Sequence, residues 1–174
     1  MNAMSLESET LTELRAGELV PKDHPRILLR GRLDTLAAEI LLLMTEGPDG
    51  FREDLADALR LVHAILAAEA LEKPLGPWTL GGMAADALRE ASHHPERYGF
   101  PGHRPPAPEH GRTAAALNRL RAISRETEIA AVTAFRREDG SFSHEDCILA
   151  LNRLSSFFYV LQLRAAQSAL EAKR

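Results

Sequence analysis

The chain has 174 residues, 45% of them apolar and 26% charged, with a formal net charge of −4. That length and balance suit one globular domain with an ordinary core, and they exclude wholesale disorder. The mild acidic excess argues against a dedicated nucleic-acid binder, and apolar runs such as Ile40 to Met44 fall far short of the roughly 18 residues a membrane span needs.

In chain order, residues 1–19 are polar and weakly periodic, which predicts a mobile arm or a short helix. Met1 to Thr10 shows no basic start ahead of an apolar core, so no secretory signal is expected. Residues 20–174 then read as one helical domain. Helical periodicity runs from about Ile27 to Glu46, stopping at Gly47-Pro48, and from Phe51 to Leu71, stopping before Pro74. A short helix is expected from Gly82 to Ala91. Residues 92–111, with five prolines and four histidines, read as a loop. A long helix follows from Thr113 to Arg137, broken by Asp139-Gly140. The last runs from Ser143 to Glu171, where Ser-His-Glu-Asp supplies an N-cap and two acids in the first turn. No run alternates as a strand would. The expected fold is all-α, an antiparallel bundle of four to five helices. Ala-Leu-Asn-Arg-Leu occurs at 116–120 and again at 150–154, which marks two helices with similar faces; the flanking pattern of a tetratricopeptide array is missing. The single cysteine, Cys147, allows neither an internal disulfide nor a Cys-based zinc cluster, and a reduced, cytoplasmic location is the default expectation.

Polar side chains mark three helices. On the 113–137 helix, Leu120, Ile123, Thr127 and Ala131 form the core arc. Asn118, Arg121, Arg125 and Glu128 lie together on one flank, within roughly 80° at about 100° per residue. By helix pattern alone Arg125 and Glu128 read first as an exposed helix pair; the functional alternative is that two guanidiniums on one face form a fork array for phosphate oxygens, with the carboxylate orienting one of them. On the 143–171 helix, Asn152, Ser155, Ser156 and Tyr159 cut a polar seam into an apolar segment. Such a seam faces a ligand, a neighbouring subunit or a polar partner helix. Asp34, close to the apolar face of Leu29, Leu33, Leu36 and Ile40, calls for a cation, and Arg121 or Arg125 is available. Lys22 and Arg26 are either solvated charge or an anion contact beside a helix N-terminus. His93, His94, His103 and His110 share one loop, but nothing in their spacing enforces a metal's tetrahedral geometry.

Several stretches together resemble a known family. They are Val20-Pro-Lys-Asp-His-Pro-Arg26, Arg30-Gly-Arg-Leu-Asp34, Ser92-His-His-Pro-Glu-Arg-Tyr98, Arg121-Ala-Ile-Ser-Arg-Glu-Thr-Glu128 and Ala150-Leu-Asn-Arg-Leu-Ser155. In this order, spanning about Thr10 to Ala166, they resemble the ethanolamine-utilisation type of cobalamin adenosyltransferase and, more distantly, the propanediol-utilisation type. The resemblance implies a helical bundle, homotrimers with sites between subunits, and transfer of the 5′-deoxyadenosyl group of ATP to cob(I)alamin with release of triphosphate. ATP, Mg2+ and the reduced corrinoid are then the small molecules involved, and a corrinoid reductase or a corrinoid-dependent lyase is the implied protein partner. The family's ATP-site pattern falls on Arg121, Arg125 and Glu128, and its Asn on Asn152. Lys22 joins the ATP-binding set, and Asp34 falls where the family pairs an Asp across the interface with the arginine at Arg121. Phe157 and Phe158 are expected to wall the lower corrin face. The alternative is a non-catalytic corrinoid- or nucleotide-binding bundle acting as carrier or sensor. The sequence departs from the family in three places. It carries no Gly-Asp-x-Gly-Thr phosphate loop and no Cys-Cys-x-x-Cys motif, so the expected form lacks the N-terminal metal-binding region, and Ser156 stands where the propanediol type has an acid.

Overall fold

A short hairpin precedes the helices in the computed structural model, which describes residues 9–103 and 105–173. Leu11–Arg15 (β1) and Glu18–Pro21 (β2) pair antiparallel around a turn at Gly17, whose φ of 80 is cheap only for glycine. This corrects the expectation of an arm without strands; residues 1–8 of that arm lie outside the described residues. The register shifts between Glu13 and Arg15, while the inward positions are the half-buried Thr12 and the buried Leu14, and the apolar Leu11 is exposed. A polar residue facing in and an apolar one facing out erase the alternation by which a strand is read.

The bundle helices are α1 (Pro25–Glu46), α2 (Arg52–Leu71), α3 (Ala85–His93), α4 (Gly111–Phe135) and α5 (Glu145–Glu171). Each falls within a few residues of its expected span. α1 opens on Pro25, with His24 Nδ1 accepting the Arg26 N–H at 3.2 Å. It stops at Gly47, where a Cβ would lie only 2.5 Å from the Leu43 carbonyl oxygen. At the start of α5 the acids Glu145 and Asp146 stand as expected, but the cap does not. His144 is the N-cap residue, at φ 49, while the Ser143 hydroxyl donates back to the Phe135 carbonyl at 3.3 Å. The expected loop at 92–111 holds two short 3₁₀ turns, Pro95–Tyr98 and Pro108–His110.

α4 packs against α5 along its length and against α1 on its other side. Leu117 and Leu120 of α4, Leu151 and Leu154 of α5, and Leu29, Leu33 and Leu36 of α1 are buried in one core. Burying side chains of this size supplies roughly 1.5–3 kcal/mol each. Antiparallel pairing of α1 with α4 is written in charge at seven-residue intervals. Arg32 pairs with Glu126 at 3.0 Å, Glu39 with Arg119 at 2.6 Å and Glu46 with Arg112 at 2.7 Å. Slipping the register would set like charges together, so the ladder selects alignment more than it adds stability.

At the hairpin end, charges are buried. The Glu69 side chain is 0% exposed and accepts from Arg30 Nε at 2.7 Å, with Arg26 Nε at 3.7 Å. Arg30 also donates to the Leu14 carbonyl at 3.0 Å, tying β1 to the bundle. Glu72 binds Arg26 and takes Arg15 at 2.8 Å, and His144 Nε2 donates to it at 3.2 Å. Arg26 is therefore a structural cation and not the anion contact that its place before α1 suggested. The Glu72 carboxyl is held below the ordinary value of 4.5, first by its hydrogen bond from Arg26. Its contribution to stability is thus present above that value and fades as pH falls through the lowered one. Close to the same cluster, burial first and then Asp146 push the Cys147 thiol up to about 12, so it is inert packing.

Removing one partner from a buried pair leaves an uncompensated charge. Glu69→Ala is expected to cost about 3 kcal/mol, whereas Arg112→Ala, at the exposed end of the ladder, should cost under about 1 kcal/mol. Urea unfolding of the two variants checks this; equal losses would refute the distinction.

Candidate functional site

The flank of α4 that the sequence singled out faces the polar seam of α5, and together they line adjoining clefts. The first, of about 450 Å³, is lined by Asn118, Arg121 and Arg125 from α4 and by Ser155, Ser156 and Tyr159 from α5. Ser92 and His93 at the end of α3, with His103, Pro105 and Pro106 of the loop that follows, close it from the other side. The second, of about 310 Å³, continues past Arg125 along Glu128, Ile129 and Asn152. Arg125 is the residue the two clefts share.

Each polar group is set by its helix. The core arc of α4 is held by Leu117, Leu120, Thr127 and Ala131, so residues one step round the helix stand at the seam with α5. The buried Ser124 and Thr127 hydroxyls are satisfied within α4, donating to the Leu120 and Ile123 carbonyls at 2.8 and 2.9 Å. They therefore compete for no ligand. Arg121 lies over the Tyr159 ring, its guanidinium carbon 5.6 Å from the ring centroid. That cation–π contact orients the fork while leaving its N–H groups toward the cleft. Burial raises the Tyr159 hydroxyl above its ordinary value of 10.0, against an opposing pull from Arg121. The hydroxyl therefore stays protonated through the neutral range. It meets His103 Nδ1 at 2.8 Å, and His103 Nε2 meets the His93 carbonyl at 3.2 Å. A carbonyl only accepts, so Nε2 carries the proton and Nδ1 accepts from Tyr159.

Arg125 is exposed, with no ion pair among the described residues. The expected brace from Glu128 is absent: Glu128 Oε1 instead accepts from Asn152 Nδ2 at 2.8 Å. The Asn152 side-chain oxygen, Oδ1, in turn accepts from Arg153. Sequence spacing put Arg125 and Glu128 one turn apart, but a nearer donor across the seam takes the carboxylate. The result is a guanidinium free to bind an anion beside a fixed carboxylate–amide pair.

Four expected site residues stand elsewhere in the protomer. Phe157 and Phe158 are 1% and 0% exposed and belong to the core. Gly81, where a Cβ would lie 3.0 Å from the Phe157 ring, packs directly on it. Neither lines the clefts, whereas Tyr159, the next residue along the helix, does. Lys22 is exposed after the hairpin, apart from the residues lining the two clefts. Asp34 is exposed on the α1 face opposite Leu33 and Leu36, and pairs with no cation in the protomer among the described residues. Around it lie Leu28, Gly31, Ala38, Leu41 and Leu42, all exposed, so this carboxylate sits in a small-residue and apolar surface and not at a core edge.

The loop histidines do not converge. His103 bridges His93 and Tyr159, His94 Nδ1 lies 3.4 Å from Glu96, and His110 Nδ1 accepts the Ala107 N–H at 3.2 Å. Among the described residues a ligand-like trio does form at His144, Asp146 and Cys147. Its members are already engaged: His144 with Glu72, and Asp146 with the Leu75 and Cys147 amides.

Two site residues escaped the sequence reading. His103 looked like one loop histidine among four. Gln162, three residues beyond Tyr159, continues the seam at helical spacing and was there to be found by extending it. No helix is long and apolar enough to cross a membrane among the described residues.

In class this is a helical bundle with a guanidinium pair, a carboxylate and an amide converging on one seam, groups whose chemistry suits an anion. The family model for cobalamin adenosyltransferase matches residues 8–165, and the chain belongs to that family. Corrinoid adenosyltransferase EutT of Escherichia coli is 38% identical over 155 residues, 89% of this chain and 58% of the relative. The Salmonella typhimurium protein of the same name is 37% identical over the same share. The chain thus spans under two thirds of these relatives' length. Among solved structures, a variant PduO-type ATP:corrinoid adenosyltransferase from Lactobacillus reuteri, complexed with cobalamin and ATP, superposes with a TM-score of 0.70. It shares 19% identity, over 95% of this chain and 93% of that one. A second variant of it, complexed with ATP, gives 0.68 at 19% identity over 93% and 92% of the two chains. These likenesses establish the fold.

Tyr159→Phe keeps the ring beneath Arg121 but removes the bond to His103, worth about 1 kcal/mol. Amide exchange in the 99–106 loop should quicken several-fold while α4 and α5 exchange unchanged; an unaltered loop would show that His103 does not anchor it.

Proposed function

We propose that this chain is an ATP:corrinoid adenosyltransferase, transferring the 5′-deoxyadenosyl group of ATP to cob(I)alamin. The observation that carries the proposal is the convergence of Arg121, Arg125, Glu128 and Asn152 on adjoining clefts. Family membership and the names of the relatives support it. Cobalt(I) is itself a strong nucleophile, so no general base is required. A cobalt–carbon bond forms at C5′, the C5′–O bond breaks, and triphosphate leaves with the electron pair. The protein's task is then to hold C5′ in line and to stabilise charge on the leaving triphosphate. Arg125, free of internal partners, grips phosphate oxygens bidentately, and Arg121 adds a second fork fixed over Tyr159. Glu128 is the carboxylate lining the Arg125 cleft and, with one oxygen bonded to Asn152, keeps the other for Mg2+. Mg2+ bound mainly by phosphates and water needs no more than one or two such carboxylates. Bound there, it would neutralise triphosphate charge. Tyr159, with Pro105 and Pro106, gives the apolar shielding once sought from Phe157 and Phe158.

The site is further proposed to be completed by a second copy in a cytoplasmic homotrimer. Ile129, 67% exposed, lines the Arg125–Asn152 cleft, Leu149, three residues before Asn152 on α5, is 44% exposed, and the α1 face around Asp34 also exposes leucines. A neighbour covering these surfaces would bring its Asp34 to Arg121 and its Lys22 to the phosphates. A corrinoid reductase or a corrinoid-dependent lyase, and a place in ethanolamine use, follow as the proposed physiological setting.

An anaerobic assay of cob(I)alamin with Mg-ATP tests the activity. Arg125→Lys keeps the charge but loses the fork, and should cut turnover more than tenfold, about 1.4 kcal/mol of transition-state stabilisation. Wild-type turnover by the lysine variant would return Arg125 to surface charge, and corrinoid binding without turnover by the native protein would favour the carrier reading. In light scattering the native protein should run as a trimer and Arg121→Ala should fall toward the 19.2 kDa monomer; a monomeric native protein would sink the shared site.

A further inference from the structure

One buried polar atom lining the Arg121 cleft lacks a partner among the described residues: Gln162 is 2% exposed, and its Oε1 accepts no hydrogen bond there. An amide stripped of water and left unpaired destabilises the fold, and a leucine of similar shape would not. Its position gives the reason for keeping it. Gln162 lines the Arg121 cleft and also two others. One, of about 480 Å³, lies against Phe100, Pro101, Leu163, Ala166 and Leu170, with Glu96 and Glu171 at its edge. The other, of about 300 Å³, lies under Pro106, Ala107 and Pro108 against α4. It is the residue common to all three.

Resting on the transferase reading, we infer that Gln162 recognises a peripheral carboxamide of the corrinoid, and that the cleft of Phe100, Leu163 and Leu170 receives the arm that bears it. An amide is matched by an amide. The terminal torsion of glutamine is broad and two-fold, so a half-turn presents either its oxygen or its N–H₂ to the cleft. A corrin ring radiates arms tipped with such carboxamides, each both donor and acceptor. The acids Glu96 and Glu171 at the cleft edge disfavour an arm ending in carboxylate, which adds discrimination by repulsion. The adenine edge of ATP is the competing match, since glutamine also pairs with adenine. Position favours the corrinoid. Gln162 lies ten residues along α5 from Asn152, roughly 15 Å at 1.5 Å per residue, beyond Tyr159 and at the end of the Arg121 cleft away from the Glu128–Asn152 pair. Three clefts meeting at one amide suit a broad ring with several arms better than one adenosine.

The test compares the native protein with Gln162→Leu. Cob(II)alamin binding, followed by its absorbance in equilibrium dialysis, should weaken at least fivefold in the variant. The native preference for cob(II)alamin over a corrinoid whose arms are mostly carboxylates should shrink by a similar factor. KM for ATP should stay unchanged, and the melting temperature should equal or exceed the native value, since an unpaired buried amide has gone. Unchanged corrinoid affinity overturns the inference. So does a rise in KM for ATP alone, which would assign Gln162 to adenine, or a lowered melting temperature, which would reveal a structural partner. If the native protein binds cob(II)alamin but never forms a cobalt–carbon bond, the transferase reading falls while the dialysis comparison still decides the role of Gln162. If it binds no corrinoid, both fall.

Discussion

Leu117 and Leu120 of α4 and Leu151 and Leu154 of α5 are buried together in the seam between the two longest helices. Because a helix fixes the angle between neighbouring side chains, this apolar contact decides where the charged ones stand. Asn118, Arg121, Arg125 and Glu128 emerge beside one edge of it, and Asn152, Ser155, Ser156 and Tyr159 meet them from α5. The clefts are therefore built on rigid elements, with loop residues such as His103 and Pro105 added as a cover. Placing the guanidiniums on rigid helices limits the reorganisation needed, which is the condition the proposed stabilisation of a leaving triphosphate would require.

The far end of the molecule uses charge differently. Glu69 is sealed between Arg26 and Arg30, and Glu72 gathers Arg15, Arg26 and His144. Glu72 and His144 both adopt left-handed backbone, with φ of 50 and 49, and they bond to each other. Such conformations cost a residue other than glycine on the order of 1 kcal/mol and persist where surrounding contacts hold them. The cluster joins the hairpin, α1, α2 and the start of α5. The seam can then be long and uniform because the turns and helix ends are pinned elsewhere.

Much of this was legible from the residues. The helices followed apolar periodicity and Gly/Pro stops, and the α4 flank and α5 seam were readable because polar side chains interrupted arcs that should have been plain. What was not legible depended on contacts between elements. The hairpin hid because its inward face carries the polar Thr12 and its outer face the apolar Leu11. Glu128 looked like the brace of Arg125 until Asn152, 24 residues away, proved to be its donor. Phe157 and Phe158 looked like a ligand wall because an apolar stretch of helix does not say which arc faces the core. Asp34 was set at the core edge by its neighbours in sequence, whereas the helix turns it onto an exposed face of Leu28, Ala38 and Leu42. Gln162 carried a signal of position only; its missing partner is visible in three dimensions alone.

The central claim is that the forks of Arg121 and Arg125 hold ATP so that carbon, and not phosphorus, is attacked. The most direct measurement is carbon-13 NMR of the corrinoid recovered after anaerobic incubation of the native protein with cob(I)alamin and Mg-ATP labelled at C5′. The account predicts the label bonded to cobalt, with intact triphosphate released in equal amount. Unlabelled corrinoid with ATP untouched, or ATP cleaved to ADP and phosphate, would contradict it.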